Sequence, residues 1–293
     1  MTTKVHPLLA TGALLLATAL WGSSFSITQI VVNQYHVLPA MFFRSLIAVL
    51  VLISIKPKAL AQLTKQQALY GLVIGAFLGT GYILQSWGLQ HTTATASGFI
   101  AGMFVVMTPL VGALLFKNQI KSIAWVAVVI ATAGLGVMTL KGVGFGLGEA
   151  VTLITALMWT MQITLLSRWG KTEIAWAMTT LQMLVVTLMS LVLSLGSSTL
   201  QFPPEELWDE LIFLGSGAGA LALLLQTWAQ AQISAVRAAI LFTLEPVWGA
   251  VFSVWLVQDV ITAPIAIGAG LIISAMLVSE ISAARSRAPV TFV

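Results

Sequence analysis

Long apolar runs, interrupted by short polar or Pro/Gly-containing breaks, set the pattern of this chain. A membrane-crossing helix needs roughly 20 mostly apolar residues. The runs at 7–32, 38–55, 67–89, 95–116, 122–140, 148–167, 174–196, 209–229, 236–257 and 262–282 approach or meet that length, so ten transmembrane helices are predicted. Strands of a membrane barrel would be about 10 residues long with alternating polarity. These runs are longer and unbroken, which makes the expected fold an all-α membrane protein. In the first run, Lys4, the apolar Leu8–Leu16 and the small-x-small triplet Ala17-Thr18-Ala19 have the form of a secretory signal. The apolar character continues through Trp21 to Val32, however, and the run reads as a retained span.

Composition agrees: 59% of the 293 residues are hydrophobic and 8% are charged, against about 25% charged in soluble domains. The net charge of +4 is explained by topology, because basic residues concentrate in cytoplasmic loops. With residue 1 inside, the inner segments hold Lys4, Lys56, Lys58, Lys65, Lys117, Lys121, Arg168, Lys171, Arg237, Arg285 and Arg287. The outer segments hold only Lys141, together with the acidic Glu205, Glu206, Asp209, Glu210 and Asp259, and Arg44 lies within a span. Both termini are therefore expected in the cytoplasm. No basic face is clustered for nucleic acid. The absence of cysteine removes disulfides, thiol catalysis and thiolate metal sites.

The two halves resemble each other. Thr18-Ala19-Leu20-Trp21 corresponds to Ala156-Leu157-Met158-Trp159, Gln85-Ser86-Trp87-Gly88 to Gln226-Thr227-Trp228-Ala229, and Pro109-Leu110-Val111-Gly112-Ala113 to Pro246-Val247-Trp248-Gly249-Ala250, at offsets of 138, 141 and 137 residues. The expected division is a first repeat over 1–141, a linker over 142–147, and a second repeat over 148–293 ending in a short tail. Five spans per half is an odd number, so the second half should enter the membrane upside down. Inverted repeats around a midplane site are a transporter architecture.

The residues Leu20-Trp21-Gly22-Ser23-Ser24-Phe25, Phe43-Arg44-Ser45-Leu46-Ile47-Ala48, Thr93 to Gly98, Thr108-Pro109-Leu110, Leu157-Met158-Trp159, Val236-Arg237-Ala238-Ala239 and Leu244-Glu245-Pro246-Val247, taken in order, resemble the EamA-type transporters of the drug/metabolite transporter superfamily. That resemblance implies ten helices and export of small metabolites across a plasma or bacterial inner membrane. Aromatic amino-acid exporters belong to the group.

An ionisable group at a helix centre costs about 2.5–3.5 kcal/mol on insertion scales, so Arg44 and Glu245 should face protein or water. Glu245 reads either as a coupling carboxylate, with protons as the partner ion, or as a helix-to-helix acceptor beside Pro246. Arg44 either holds structure, snorkels toward headgroups, or binds a substrate carboxylate. Tryptophan favours the membrane interface, so the mid-span Trp21 and Trp159 are candidate cavity walls, with Trp248 a further one; helix packing is the alternative. Ser24, Tyr82, Gln85, Gln162 and Gln226 are polar groups within spans, available to substrate or to another helix. Gly71, Gly75 and Gly79 on span 3, and Gly215 and Gly219 on span 8, predict close helix packing. Pro109 and Pro246 are candidate hinges.

No His-Glu-x-x-His zinc pattern and no Gly-x-Ser-x-Gly occurs, and Gly170-Lys171-Thr172 lacks the first glycine of a phosphate loop, where Leu165 stands. The expectation is a cofactor-free, metal-free, non-enzymatic secondary transporter in the lipid bilayer. It would export amino acids, aromatic ones included, or related small amphipathic metabolites. A permease for sugars, nucleotides or lipid-linked intermediates, and a non-transporting scaffold, are the alternatives.

Overall fold

The protein is described here by a computed structural model covering residues 7–116, 122–138, 145–230 and 241–286. Lys4, Lys117, Lys121, Lys141, linker residues 142–144, Val236, Arg237, Ala238, Ala239 and Arg287, named above, lie outside the described residues. Within them all regular structure is helical: α1 (Pro7–Gln34), α2 (Val37–Ile55), α3 (Lys65–Gly88), α4 (Ala94–Ala101), α5 (Phe104–Leu115), α6 (Ser122–Met138), α7 (Leu147–Trp169), α8 (Ala175–Gly196) and α9 (Trp208–Ile212). A π-helical stretch, Phe213–Leu221, carries α9 into α10 (Ala222–Gln230); α11 (Glu245–Leu256) and α12 (Ala263–Ser286) follow. Among the described residues seven helical segments are long and apolar enough to cross a membrane, and Trp125–Val137 and Ala263–Val278 are shorter apolar helices.

Local chemistry sets several boundaries. Thr64 caps α3: its Oγ1 accepts from the Gln67 amide at 3.2 Å while Gln67 Oε1 accepts from the Thr64 amide at 2.9 Å, satisfying two donors that a helix start leaves open. Thr93 caps α4 by accepting from the Ala96 amide at 3.1 Å. The fourth apolar run is one segment of 22 residues, Ala94–Leu115, yet it is interrupted at Gly102–Met103, between α4 and α5. The backbone then runs helically through residue 109, so the break stands seven residues before the proline named as a hinge. Pro246 occupies the first turn of α11, where its missing N–H removes no helix bond; the chain turns just before it, at Thr243–Leu244.

The glycines on α3 do what their four-residue spacing implies. A Cβ at Gly71 would lie 2.6 Å from a Leu181 methyl, and one at Gly75 2.9 Å from the Val185 Cβ, so this face admits α8 to close range. In the π-helical stretch, Gly215 lies against the Arg44 carbonyl and Ile47, and Gly219 against Ala48, seating α2. Helices of the first half pack chiefly on helices of the second: α6 on α12, α3 on α7 and α8, α2 on α8, and α1 on α10 and α11. The interior between them is apolar, with Phe25, Leu14, Met41, Ile74, Met178 and Met183 among its largest fully buried side chains.

Candidate functional site

A cavity of about 500 Å³ lies among α1, α3, α5, α7, α10 and α11, lined by Trp21, Ser24, Phe25, Leu78, Tyr82, Gln85, Phe104, Trp159, Gln162, Ile163, Leu223, Gln226, Phe242 and Glu245. An apolar wall carrying a few polar groups is the usual make-up of a small-molecule site. Trp21, Ser24, Tyr82, Gln85, Trp159, Gln162 and Gln226 thus come together, with Glu245 beside them. Trp248 is not part of the lining: it turns toward Phe252, with ring centroids 6.3–6.4 Å apart along the Trp248–Phe252–Trp255 row.

Five aromatic rings form one side of the space. Trp21 and Phe242 stand 6.3 Å apart, Phe104 and Phe242 6.3 Å, Phe104 and Trp159 6.4 Å, and Tyr82 meets Trp159 edge to face at 6.0 Å. Such tilted and edge contacts suit the ring quadrupoles. Trp21 is pinned by its indole N–H, which donates to the Ala218 carbonyl at 3.0 Å. Ala218 lies in the π-helical stretch, where helix bonds run from i to i+5 and the turn is wider. Trp159 is seated by Gly81, where a Cβ would come within 2.5 Å of its Nε1.

The polar groups divide into two sets. Ser24 donates to the Trp21 carbonyl at 2.7 Å, and Gln162 Nε2 donates to Gln182 Oε1 at 3.0 Å, so these are held within the protein. The Tyr82 hydroxyl, the Gln85 and Gln226 amides and the Glu245 carboxylate have no hydrogen-bond partner among the described residues, and all four face the cavity. They are also buried: Glu245 is 5% exposed and Gln226 2%. Unspent donors and acceptors in an apolar interior are costly unless something fills them.

Arg44 lies behind this wall rather than on it. It is 5% exposed, its side chain enclosed by protein. Its Nη1 donates to Thr28 Oγ1 at 3.3 Å, and its guanidinium carbon sits 5.0 Å from the centroid of the Tyr82 ring. Tyr82 therefore separates a buried cation from the cavity, and a cation over a ring face is attracted by it.

Sequence reasoning missed Phe25, Leu78, Phe104, Ile163, Leu223 and Phe242. In a chain of this hydropathy an apolar residue facing a cavity carries no mark distinguishing it from one facing lipid. Among the described residues no group of three or more His, Asp or Glu side chains is placed to hold a metal ion.

Comparison with known proteins fits this arrangement. A curated relative from Archaeoglobus fulgidus, described as an "Uncharacterized transporter", is 26% identical over 274 residues, covering 94% of this chain and 86% of the relative. A solved crystal structure of a protein shares the fold, with a TM-score of 0.66 at 17% identity over 96% of this chain and 98% of that one. The model of the EamA-like transporter family matches residues 8–140 and matches again at 146–280. Matched twice, end to end, by that family, the chain is a multi-pass membrane protein and a member of the EamA-like transporter family.

Proposed function

We propose that this transporter carries amino acids, aromatic ones included, or related small amphipathic metabolites out of the cell by alternating access. Ten crossings would arise from two inverted repeats, 1–141 and 148–293, with both termini in the cytoplasm of a bacterial inner membrane. Numbering the apolar runs in chain order, span 1 packs on span 8 and span 3 on span 6; span 1 packs on span 9 and span 4 on span 6; span 2 meets span 7 and span 5 meets span 10. Adding or subtracting five leaves this set of pairs unchanged, which is the behaviour of two repeats related by a twofold axis. With five spans in each, such an axis lies in the membrane plane. The excess of basic residues on one side favours the cytoplasmic assignment.

The observation that carries the substrate reading is the unspent polar set facing an aromatic wall. The rings of Trp21, Phe104, Trp159 and Phe242 offer stacking surface to a planar or cationic solute. Gln85 and Gln226, repeat-related on spans 3 and 8, offer amides from opposite halves. Glu245 would receive an ammonium group, and the Tyr82 hydroxyl, with the Arg44 charge behind its ring, would donate to a carboxylate. A solute bearing both charges fits a cavity with one anion on its wall and one cation behind it. A phosphorylated solute would need more positive charge than Arg44 supplies.

Counterflow into liposomes, with amino acids, sugars, nucleotides and drugs compared, tests this. Aromatic amino acids should exchange fastest, and exchange confined to sugars or nucleotides would overturn the reading. Glu245→Gln should flatten the pH dependence of that flux, whereas an unaltered profile removes Glu245 from coupling.

A further inference from the structure

At the end of the bundle that holds the α3–α4 turn, the second half grips the first through side-chain hydrogen bonds. The gripped segment is Thr92 to Thr95. From the start of α7, Glu149 accepts from the Thr92 hydroxyl through Oε1 and from the Gly146 amide at 2.8 Å through Oε2. One residue earlier, a Cβ at Gly148 would come within 2.7 Å of the His91 carbonyl carbon and 2.9 Å of the Thr92 Cβ, so the two backbones touch. From the other side, Asp259 Oδ2 accepts from both the Thr95 amide at 2.9 Å and the Thr95 hydroxyl at 2.8 Å. The Thr95 hydroxyl also meets Ser253 Oγ of α11 at 2.6 Å. The chain is bent to deliver Asp259: Gln258 adopts a left-handed φ of 57°, and the Asp259 amide donates to the Ser253 carbonyl at 3.2 Å. Glu149 is 3% exposed although it stands at a helix start.

This segment lies between the cavity and that end of the bundle. Gln85 of the cavity is one turn below Leu89, whose amide it accepts through its carbonyl at 2.9 Å, and Phe104 lies further along the same apolar run as Thr95. A solute leaving by this end must pass where α3 and α4 meet α7 and α11. The hydrogen bonds of Glu149 and Asp259 there are directional and exchangeable with water, unlike the apolar packing that joins α3 to α8.

We propose that Glu149 and Asp259 form a two-point latch that closes the outer mouth of the cavity, and that both must release Thr92 and Thr95 in each transport cycle. This rests on the transport and orientation readings given above, and nothing in those readings requires these two carboxylates.

Because the chain has no cysteine, introduced thiols report without background. In vesicles holding the full chain, Gln85→Cys is labelled by a membrane-impermeant maleimide supplied on each face in turn. Combining it with Asp259→Asn and Glu149→Gln should speed labelling from the outer face about tenfold or more, since each charge-assisted bond lost is worth about one decade in an opening equilibrium. Thr95→Ser, which keeps the hydroxyl, should leave the rate unchanged. An unaltered rate in the first variant, or an equal rise from both faces, overturns the latch. Should that variant not fold, Thr95→Val is read in the same way. In a second arm, oxidation of the pair Thr95→Cys and Ser253→Cys should stop L-tryptophan counterflow, and dithiothreitol should restore it. Undiminished flux with the disulfide formed also overturns the latch. If the reduced pair and the parent chain both fail to carry L-tryptophan, the amino-acid reading fails, and the labelling arm decides the latch by itself.

Discussion

Gly22 is the point where α1 comes closest to α11, and replacing it with alanine tests how the cavity is held. A Cβ there would lie 2.4 Å from the Trp248 Cβ, 2.8 Å from the Gly249 amide nitrogen and 2.9 Å from the Glu245 carbonyl oxygen. Comfortable non-bonded separations are about 3.5–4.0 Å, so the helices would have to part by about 1 Å. Two of the three atoms belong to the backbone and the third is bonded to it, so no rotamer change relieves the contact. Overpacking of this kind costs about 1–3 kcal/mol, and backbone contact puts Gly22→Ala at the upper end, about 3 kcal/mol. Alanine returns about 1 kcal/mol of helix propensity, leaving a net loss of about 2 kcal/mol. Gly270→Ala isolates the propensity effect, because a Cβ there would meet nothing within 4 Å; it should be neutral or stabilising by up to about 1 kcal/mol. Unfolding in mixed micelles, followed by the fluorescence of the 10 tryptophans, measures both. Gly22→Ala should also weaken substrate binding, since parting α1 from α11 moves Trp21 away from Glu245. If Gly22→Ala is as stable as Gly270→Ala, α1 and α11 are not in backbone contact and the cavity geometry derived from that contact is wrong.

Two further substitutions separate the aromatic wall from the charge behind it. Gly81→Ala places a methyl within 2.5 Å of Trp159 Nε1 and should push the indole into the cavity. Substrate protection in a thermal-shift titration should then fall several-fold, and an unchanged Kd would remove Trp159 from the wall. Arg44→Lys keeps a cation over the Tyr82 ring and should retain most transport, whereas Arg44→Met keeps only the stem. Arg44→Met should raise KM for carboxylate-bearing solutes about tenfold, the worth of one cation–π or charge-assisted contact in an apolar setting. Equal KM values for the Met and Lys variants would show that the charge plays no part.

Much of the cavity was readable before any coordinate, for a reason specific to membranes. In an apolar solvent a polar side chain has few places to go, so Gln85, Gln226, Tyr82 and Glu245 announce an interior face by their presence in otherwise apolar runs. The mid-span tryptophans Trp21 and Trp159 carried the same signal, because they stand away from the interface that suits them. The signal names a face, not a partner. Gln162 looked equivalent to Gln85, yet it spends its amide on Gln182 of the next helix, a side-chain pairing that no local pattern encodes. Trp248 shares the polar stretch around Glu245 but turns to Phe252, since Gly22 lies against its Cβ and fixes its direction. The helix interruptions were misplaced by the prolines. Pro109 and Pro246 mark the neighbourhood, but the turns fall at Gly102–Met103 and Thr243–Leu244: Pro246 sits in the first turn of α11, where proline is tolerated and the chain breaks before it, whereas Pro109 lies inside α5, past its first turn.

Those interruptions explain why the polar site can exist at this depth at all. A regular helix in an apolar medium spends every backbone group on itself, leaving side chains as the sole source of polarity. Here three irregular stretches converge on the cavity. Phe104 begins α5 immediately after the Gly102–Met103 break, Phe242 and Glu245 flank the Thr243–Leu244 turn, and Ala218 offers its carbonyl from within the π-helical stretch. At the first two the regular ladder gives way to turn bonds, Met103 N–H to the Ile100 carbonyl and Leu244 N–H to the Leu241 carbonyl, each at 3.1 Å, and the Ala218 carbonyl of the third fixes Trp21. Under the proposed alternating access, the same irregularities are where the helices would bend. Under the proposed cycle, binding and movement draw on one local feature, an interruption of the regular helix beside the cavity. A chain in which Gly102–Met103 and Thr243–Leu244 were rebuilt as continuous helix should lose solute binding and opening together, whereas the latch at Glu149 and Asp259 should govern opening and leave binding intact.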